Sequence, residues 1–184
     1  MLQMLLVLGC LHTNQHGAED PDLPNFYQVD DGLYRGGRPR EAGFQKLKEK
    51  GIKTVISLEP DKEASFREQD QILRLGMSFY NFPMNAYERP SDDLVHQFLD
   101  VILDAKWQSV FVHCDTGKDL TGTMAAVYRV IVQGWGPKDA YNEAKRYGFW
   151  PYRGDAVLKK FIHQLKDRTS YYERVERFRK AVLA

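Results

Sequence analysis

Between His113 and Gly122 the chain reads H-C-D-T-G-K-D-L-T-G, placing an imidazole, a thiol, two threonine hydroxyls and two glycines in one short run. Three strand formers, Val110, Phe111 and Val112, lead into it, and apolar positions at Met124, Val127, Tyr128 and Ile131 follow at helical spacing. Strand, tight loop and helix N-terminus in that order make an anion cradle. The loop amides have no helical partners, and the helix dipole adds positive potential at the same spot. A cysteine at the mouth of such a cradle is expected as a thiolate. Nucleophilic removal of a phosphoryl group needs such a nucleophile, donors for the equatorial oxygens, a proton for the leaving group and a positioned water. Cys114 supplies the first, and the backbone amides of Asp115, Thr116, Gly117, Lys118, Asp119 and Leu120 supply the second. The Thr121 hydroxyl is placed to stabilise the thiolate as it leaves a phosphocysteine. His113 is expected to orient the loop, and Lys118 to project toward a further phosphate on a polyanionic substrate. A Walker-type nucleotide site is disfavoured, because Asp119 follows Gly117-Lys118 where a metal-holding Ser or Thr belongs. An inert buried cysteine at a strand end is the bland alternative, and it does not call for this surrounding pattern.

Alternating strands and helices must carry this loop. Tyr27–Val29 and Leu33–Arg35 flank an Asp31-Gly32 turn and read as a hairpin. Pro39 suits the first turn of a helix to Lys50, with Phe44 and Leu47 inward and Gly51 at its end. Ile52–Leu58 is rich in β-branched residues and reads as a buried strand. Asp61–Leu75 reads as a helix with Phe66, Ile72, Leu73 and Leu75 inward, and Met77–Phe82 as another strand. Pro83–Pro90 is irregular, and Ser91 caps a helix to Asp104. The second half reads as the cysteine strand and its helix (Thr123–Val132), a helix from Pro137 to Tyr147-Gly148, and helices over Asp155–Lys166 and Ser170–Leu183. The pattern predicts an α/β fold: a mostly parallel central sheet flanked by helices, with extra C-terminal helices.

At 184 residues and net charge +1, the chain suits one domain with one core and offers no electrostatic case for nucleic acid. No apolar run approaches the about 18–20 residues that span a bilayer. With only Cys10 and Cys114 present, disulfides are not the source of stability. Residues 1–25 read as an N-terminal segment and 26–184 as the folded domain. The apolar start, M-L-Q-M-L-L-V-L-G-C-L, resembles the end of a bacterial lipoprotein signal, which implies a lipid anchor at Cys10 and the cell envelope. A packed or frayed segment on a cytoplasmic protein is the alternative. His12–Asn25, polar with Pro21 and Pro24, reads as a linker.

The loop from His113 to Gly122 resembles the signature loop of the protein tyrosine phosphatase superfamily, in its dual-specificity branch. Asp31-Gly32-Leu33-Tyr34-Arg35-Gly36-Gly37-Arg38-Pro39 and the Gly51–Leu58 strand are similar to the atypical dual-specificity phosphatases and the tyrosine-phosphatase-like, phytase-like inositol phosphatases. The likeness runs from about Phe26 to Phe149. It implies the dual-specificity-phosphatase fold and hydrolysis of phosphoprotein or inositol polyphosphate monoesters through phosphocysteine, with no metal and no cofactor.

Two departures bear on activity. The family pattern sets an arginine six residues after the cysteine, and here that residue is Leu120. That arginine is the fork gripping two phosphoryl oxygens as the transition state forms. Arg35, Arg38, Arg89 and Arg129 are expected to reach the pocket only by unusual geometry. The family also carries an Asp a few residues before the proline that opens the next helix. Here that stretch is Asn85-Ala86-Tyr87, and Glu88 is the nearest acid, taken as the candidate general acid. Asp92 and Asp93 read as first-turn helix charges. The expectation is a phosphatase scaffold with lost or strongly impaired turnover. The alternatives are a slow working hydrolase and a non-catalytic module that binds a phosphorylated ligand.

Overall fold

A computed structural model describes residues 20–104, 109–150 and 156–182. Cys10 and the apolar start lie outside them. Among the described residues, five strands form one sheet in the order β1-β2-β5-β3-β4. Strand β1 (Tyr27–Gln28) pairs antiparallel with β2 (Leu33–Gly37), and Asp30 Oδ1 accepts from the amides of Gly32 and Leu33 to close the hairpin. The other neighbours, β2 with β5 (Ser109–Cys114), β5 with β3 (Ile52–Ser57) and β3 with β4 (Ser78–Asn81), are parallel. Seven α-helices cover the sheet: α1 (Glu41–Glu49), α2 (Lys62–Arg74), α3 (Asp92–Asp104), α4 (Asp119–Val127), α5 (Pro137–Arg146), α6 (Ala156–His163) and α7 (Thr169–Val182). No described helix is long and apolar enough to cross a membrane.

The central strand β5 divides the core, because successive side chains face opposite sides of a sheet. Val110, Val112 and Cys114 join the cluster that includes residues of α3, α4, α6 and α7, whereas Phe111 joins the one beneath α1 and α2. The hairpin, the strands β3, β4 and β5 and the helix order match the sequence expectation. Ser91 Oγ caps α3 by accepting from Leu94 N at 3.2 Å.

Three readings change. Phe66 and Leu73, expected inward on α2, are 68% and 53% exposed, and the buried stripe is Ser65, Glu68 and Ile72. The helix is turned so that the Glu68 carboxylate meets His113 Nε2, 2.5 Å away, across the sheet end. The helix after the cysteine loop begins earlier than Thr123, at Asp119, and its last turn, Tyr128–Val132, is a π-helix. Tyr128 OH and Gln133 Nε2 both donate to Asp30 Oδ2, tying that turn to the hairpin. Asp20–Asn25, the described part of the stretch read as linker, packs on the domain. Leu23 is buried, and Lys46 Nζ pairs with Asp20 at 2.7 Å and with Asp22 at 2.9 Å.

Candidate active site

Cys114 ends β5 at the carboxyl edge of the parallel strands, where loops from several strands converge. The loop after it is pressed against the end of β2. A Cβ on Gly117 would lie 2.3 Å from the carbonyl carbon of Gly36, and Gly117 has φ +72°, so only glycine fits both the approach and the backbone angle.

The loop carbonyls are held from outside. Arg38 N donates to Asp115 O at 3.0 Å, and Asn25 Nδ2 donates to Thr116 O at 3.2 Å and Gly117 O at 3.0 Å. Arg35 Nη2 adds a second bond to Gly117 O at 2.8 Å, and Gly122 N donates to Lys118 O at 2.8 Å. In a trans peptide the N–H points opposite to the preceding C=O. The amides of Thr116, Gly117 and Lys118 therefore face away from these outside donors, and among the described residues they donate to no backbone acceptor. The free first-turn amides of α4 continue the same row.

In front of the loop lies a cleft of about 650 Å³ lined by Cys114, Asp115, Thr116, Asp119 and Leu120 from the loop and α4. Glu59 and Pro60 after β3, and Met84 to Tyr87 from the irregular segment, complete it. Leu120 faces this cleft while its side chain rests on the main core cluster. No lysine or arginine lines the cleft among the described residues, whereas three carboxylates do.

The other residues picked from the sequence fall in different places. His113 is fully buried on the opposite face of β5 from Cys114, beside Glu68, whose other oxygen is 3.5 Å from Ser57 Oγ. Thr121 is buried beneath the loop, with Oγ1 donating to Gly36 O at 3.4 Å. The stem of Lys118 lies across Gly148, where an added Cβ would meet its Cγ, Cδ and Cε at 3.2 Å, and the residue does not line the cleft. Asp119 Oδ1 accepts from Trp150 N at 2.8 Å. Glu88 is exposed, accepts from Asn85 Nδ2 at 3.0 Å, and lines a smaller neighbouring cleft with Arg89 and Ser91 instead of the one at Cys114. Asp92 pairs with Arg89 and accepts from Tyr171 OH, which holds its carboxyl below the usual carboxylate range. Arg129 is committed to Glu143, at 2.6 Å.

Two residues of the site escaped the sequence reading, and a third, Arg35, acts from outside the cleft. Asn25, at φ +53°, bonds two loop carbonyls and Tyr147 O, yet sat in a stretch read as linker. Glu59 lies in the cleft, paired with Arg38 Nη2 at 2.7 Å. Burial pushes its carboxyl up, against the attraction of Arg38 and with added repulsion from Asp115. Arg35 comes to the back of the loop rather than into the cleft. Only the Glu-Pro step leaving a buried strand offered a signal, since strand ends on this edge line ligand crevices.

A parallel sheet with a cysteine loop running into a helix N-terminus at its carboxyl edge is the architecture of a dual-specificity-type phosphatase. The chain belongs to the family described as DSP-PTPase phosphatase fused to NAD+ kinase, whose model matches residues 18–154. It is 32% identical over 133 residues to the dual specificity protein phosphatase TpbA of Pseudomonas aeruginosa, spanning 72% of this chain and 58% of that protein. It is 28% identical over 165 residues to the inositol diphosphatase SIW14 of Saccharomyces cerevisiae, spanning 85% and 57%. The chain thus spans under two thirds of the length of these relatives. The crystal structure of P. aeruginosa TpbA matches with a TM-score of 0.70 at 24% identity, covering 86% of this chain and 94% of that one. The catalytic core of SIW14 matches with a TM-score of 0.67 at 24% identity, covering 83% and 96%. Both support the fold.

Proposed function

We propose that this chain is a cysteine-dependent phosphate-monoester phosphatase scaffold that keeps its anion cradle and has lost all or most turnover. One observation carries the reading: Leu120 stands in the cleft wall where the family resemblance implies an arginine, and among the described residues no cation lines that cleft. In the reaction the scaffold is built for, Cys114 Sγ attacks phosphorus and the P–O bond to the leaving group breaks. The leaving oxygen takes a proton from a carboxylic acid, with Glu88 the sequence-based candidate. Water then attacks the phosphocysteine and gives its proton back to that carboxylate, the P–S bond breaks, inorganic phosphate departs and the thiolate is restored. His113 supports the loop from below through Glu68, and Thr121 holds the loop to β2 beside the departing sulfur. The amides of Asp115–Leu120 grip the oxygens in ground and transition states alike. The missing fork is the part that acts mainly at the transition state, so binding outlasts turnover.

Substrates in this reading are phosphorylated proteins or inositol phosphates, supported by relatives named as dual-specificity phosphatases and inositol diphosphatases, and by a TpbA structure in complex with pTyr. A binding module for phosphorylated ligands is favoured as second reading by the outward-held loop carbonyls. The test is hydrolysis of a small aryl phosphate and of an inositol polyphosphate by the native chain, Leu120→Arg and Cys114→Ser. Ordinary enzymatic turnover by the native chain, abolished in Cys114→Ser, would overturn the impaired reading. Calorimetric titration with inorganic phosphate tests the binding reading, which fails if nothing binds at millimolar concentration.

A further inference from the structure

Arg35 is the largest fully buried side chain among the described residues, 1% exposed, yet no carboxylate pairs with it. It lies on β2 opposite Val112, two positions before the Gly37–Cys114 pair. Its Nη2 is spent on Gly117 O, and its Nε and Nη1 have no hydrogen-bond partner. The Tyr147 ring covers the guanidinium, with Cζ 4.6 Å from the ring centroid. Glu143, the largest favourable charge acting on it, already holds Arg129 through two bonds of 2.9 and 2.6 Å. Burial lowers its pKa to about 10, so it remains a cation at neutral pH.

An unpaired charge in a protein interior is costly unless an opposite charge comes near. Here the guanidinium sits at the back of a loop whose front amides converge on Cys114. Both contribute positive potential at one place, offset only in part by Glu143, which is bonded to Arg129, and by the carboxylates of Glu59, Asp115 and Asp119 across the cleft. We propose that Arg35 is a positioning residue with a second duty: it anchors the Gly117 carbonyl, and its buried charge, with no carboxylate bonded to it, is the fixed electrostatic source that lets the Cys114 loop hold an oxyanion without an arginine at position 120. This rests on the reading of the loop as an anion cradle. A charge behind the loop differs from a fork in front of it. It cannot follow the phosphoryl oxygens as they move, so it strengthens ground-state and transition-state binding about equally. Arg35 thereby accounts for retained binding beside impaired turnover.

The probe is tungstate, a tetrahedral oxyanion that needs no chemistry, titrated calorimetrically into the full chain at low salt. The variants are Arg35→Lys, which keeps the charge, and Arg35→Gln, which keeps a donor for Gly117 O without it. Tungstate should bind the native chain and Arg35→Lys within a few-fold of each other, and Arg35→Gln at least about tenfold more weakly. It should also raise the unfolding midpoint of the first two by more than that of the third, since a ligand of the folded state stabilises by its affinity. A merely structural role would lower all midpoints without changing the tungstate-induced shift. Equal tungstate affinity in Arg35→Gln and the native chain overturns the assignment while leaving the cradle intact. Absence of tungstate binding in the native chain removes the cradle reading itself, and this proposal with it. Should Arg35→Gln not fold, the native chain decides: an unfolding midpoint unmoved by millimolar tungstate overturns the proposal.

Discussion

His113 Nε2 lies 2.5 Å from Glu68 Oε1, with the two side chains 0% and 4% exposed. The approach is close without hydrogen-bond alignment, and neither ring nitrogen of His113 has another partner. This contact joins α2 to the residue before the cysteine and explains why a glutamate faces inward where Phe66 and Leu73 face out.

Removing that contact should loosen the strand end below the loop. Glu68→Ala leaves buried polar atoms of His113 and Ser57 without their neighbour, a loss of about 1–3 kcal/mol. Urea unfolding measures it, and a change below about 0.5 kcal/mol would mean that the pair is incidental to stability.

Restoring the fork should restore chemistry. Leu120→Arg is expected to raise kcat on an aryl phosphate by about 10³ or more, the scale of an arginine acting on a transferring phosphoryl group. Tungstate affinity should change far less. No gain in kcat would move the fault to the proton donor.

That donor is itself open to test. Within the Leu120→Arg background, Glu59→Gln and Glu88→Gln are compared on phosphates with good and poor leaving groups. Glu59 lies in the cleft with its carboxyl raised by burial, so it keeps a proton to higher pH than an ordinary glutamate. If it is the acid, Glu59→Gln lowers the rate by about 10²–10⁴ on the poor leaving group only, and the alkaline limb of the pH profile disappears. The same pattern in Glu88→Gln instead would uphold the sequence-based candidate.

The cleft's lining also sorts substrates. Glu59, Asp115 and Asp119 repel every phosphate beyond the first, by roughly 1 kcal/mol for each close pair of unit charges in water. The Leu120→Arg variant should therefore show a lower KM for an aryl phosphate flanked by basic residues than for an inositol polyphosphate. Asp119→Asn should narrow the gap, and a reversed preference would discard this account.

One contact ties stability to pH at the N-terminus of α3. Tyr171 OH lowers the Asp92 carboxyl, so that contribution is present above the unfolded carboxylate range and lost as pH falls through the lowered folded value. Tyr171→Phe should destabilise at pH 7 and by progressively less as pH falls through the lowered folded value, below which the carboxyl is protonated in both forms. Equal losses above and below that value would assign Tyr171 to packing alone.

Much of this was legible in the chain, and the division has a physical basis. The hairpin at Asp31-Gly32, the buried Ile52–Leu58 strand and the strand-loop-helix at Cys114 announce themselves by local periodicity and by glycine and proline. Asn25 and Glu68 do not. Asn25 reaches Thr116 across 91 residues of chain, and Glu68 turns inward for a histidine on another strand, so no local pattern marks either. The position of Lys118 was missed for the opposite reason. Its sequence neighbours suggested a projecting cation, while the bare backbone of Gly148 offers its stem a place to lie.

The outward grip on the loop carbonyls has a consequence for how this fold changes over time. Asn25, Arg35 and Arg38 dictate the cradle's form from segments that take no part in bond breaking. On the reading proposed above, a leucine at position 120 leaves that mould in place. Recognition and reaction become separately inherited traits, one written across distant segments and the other concentrated in a few codons.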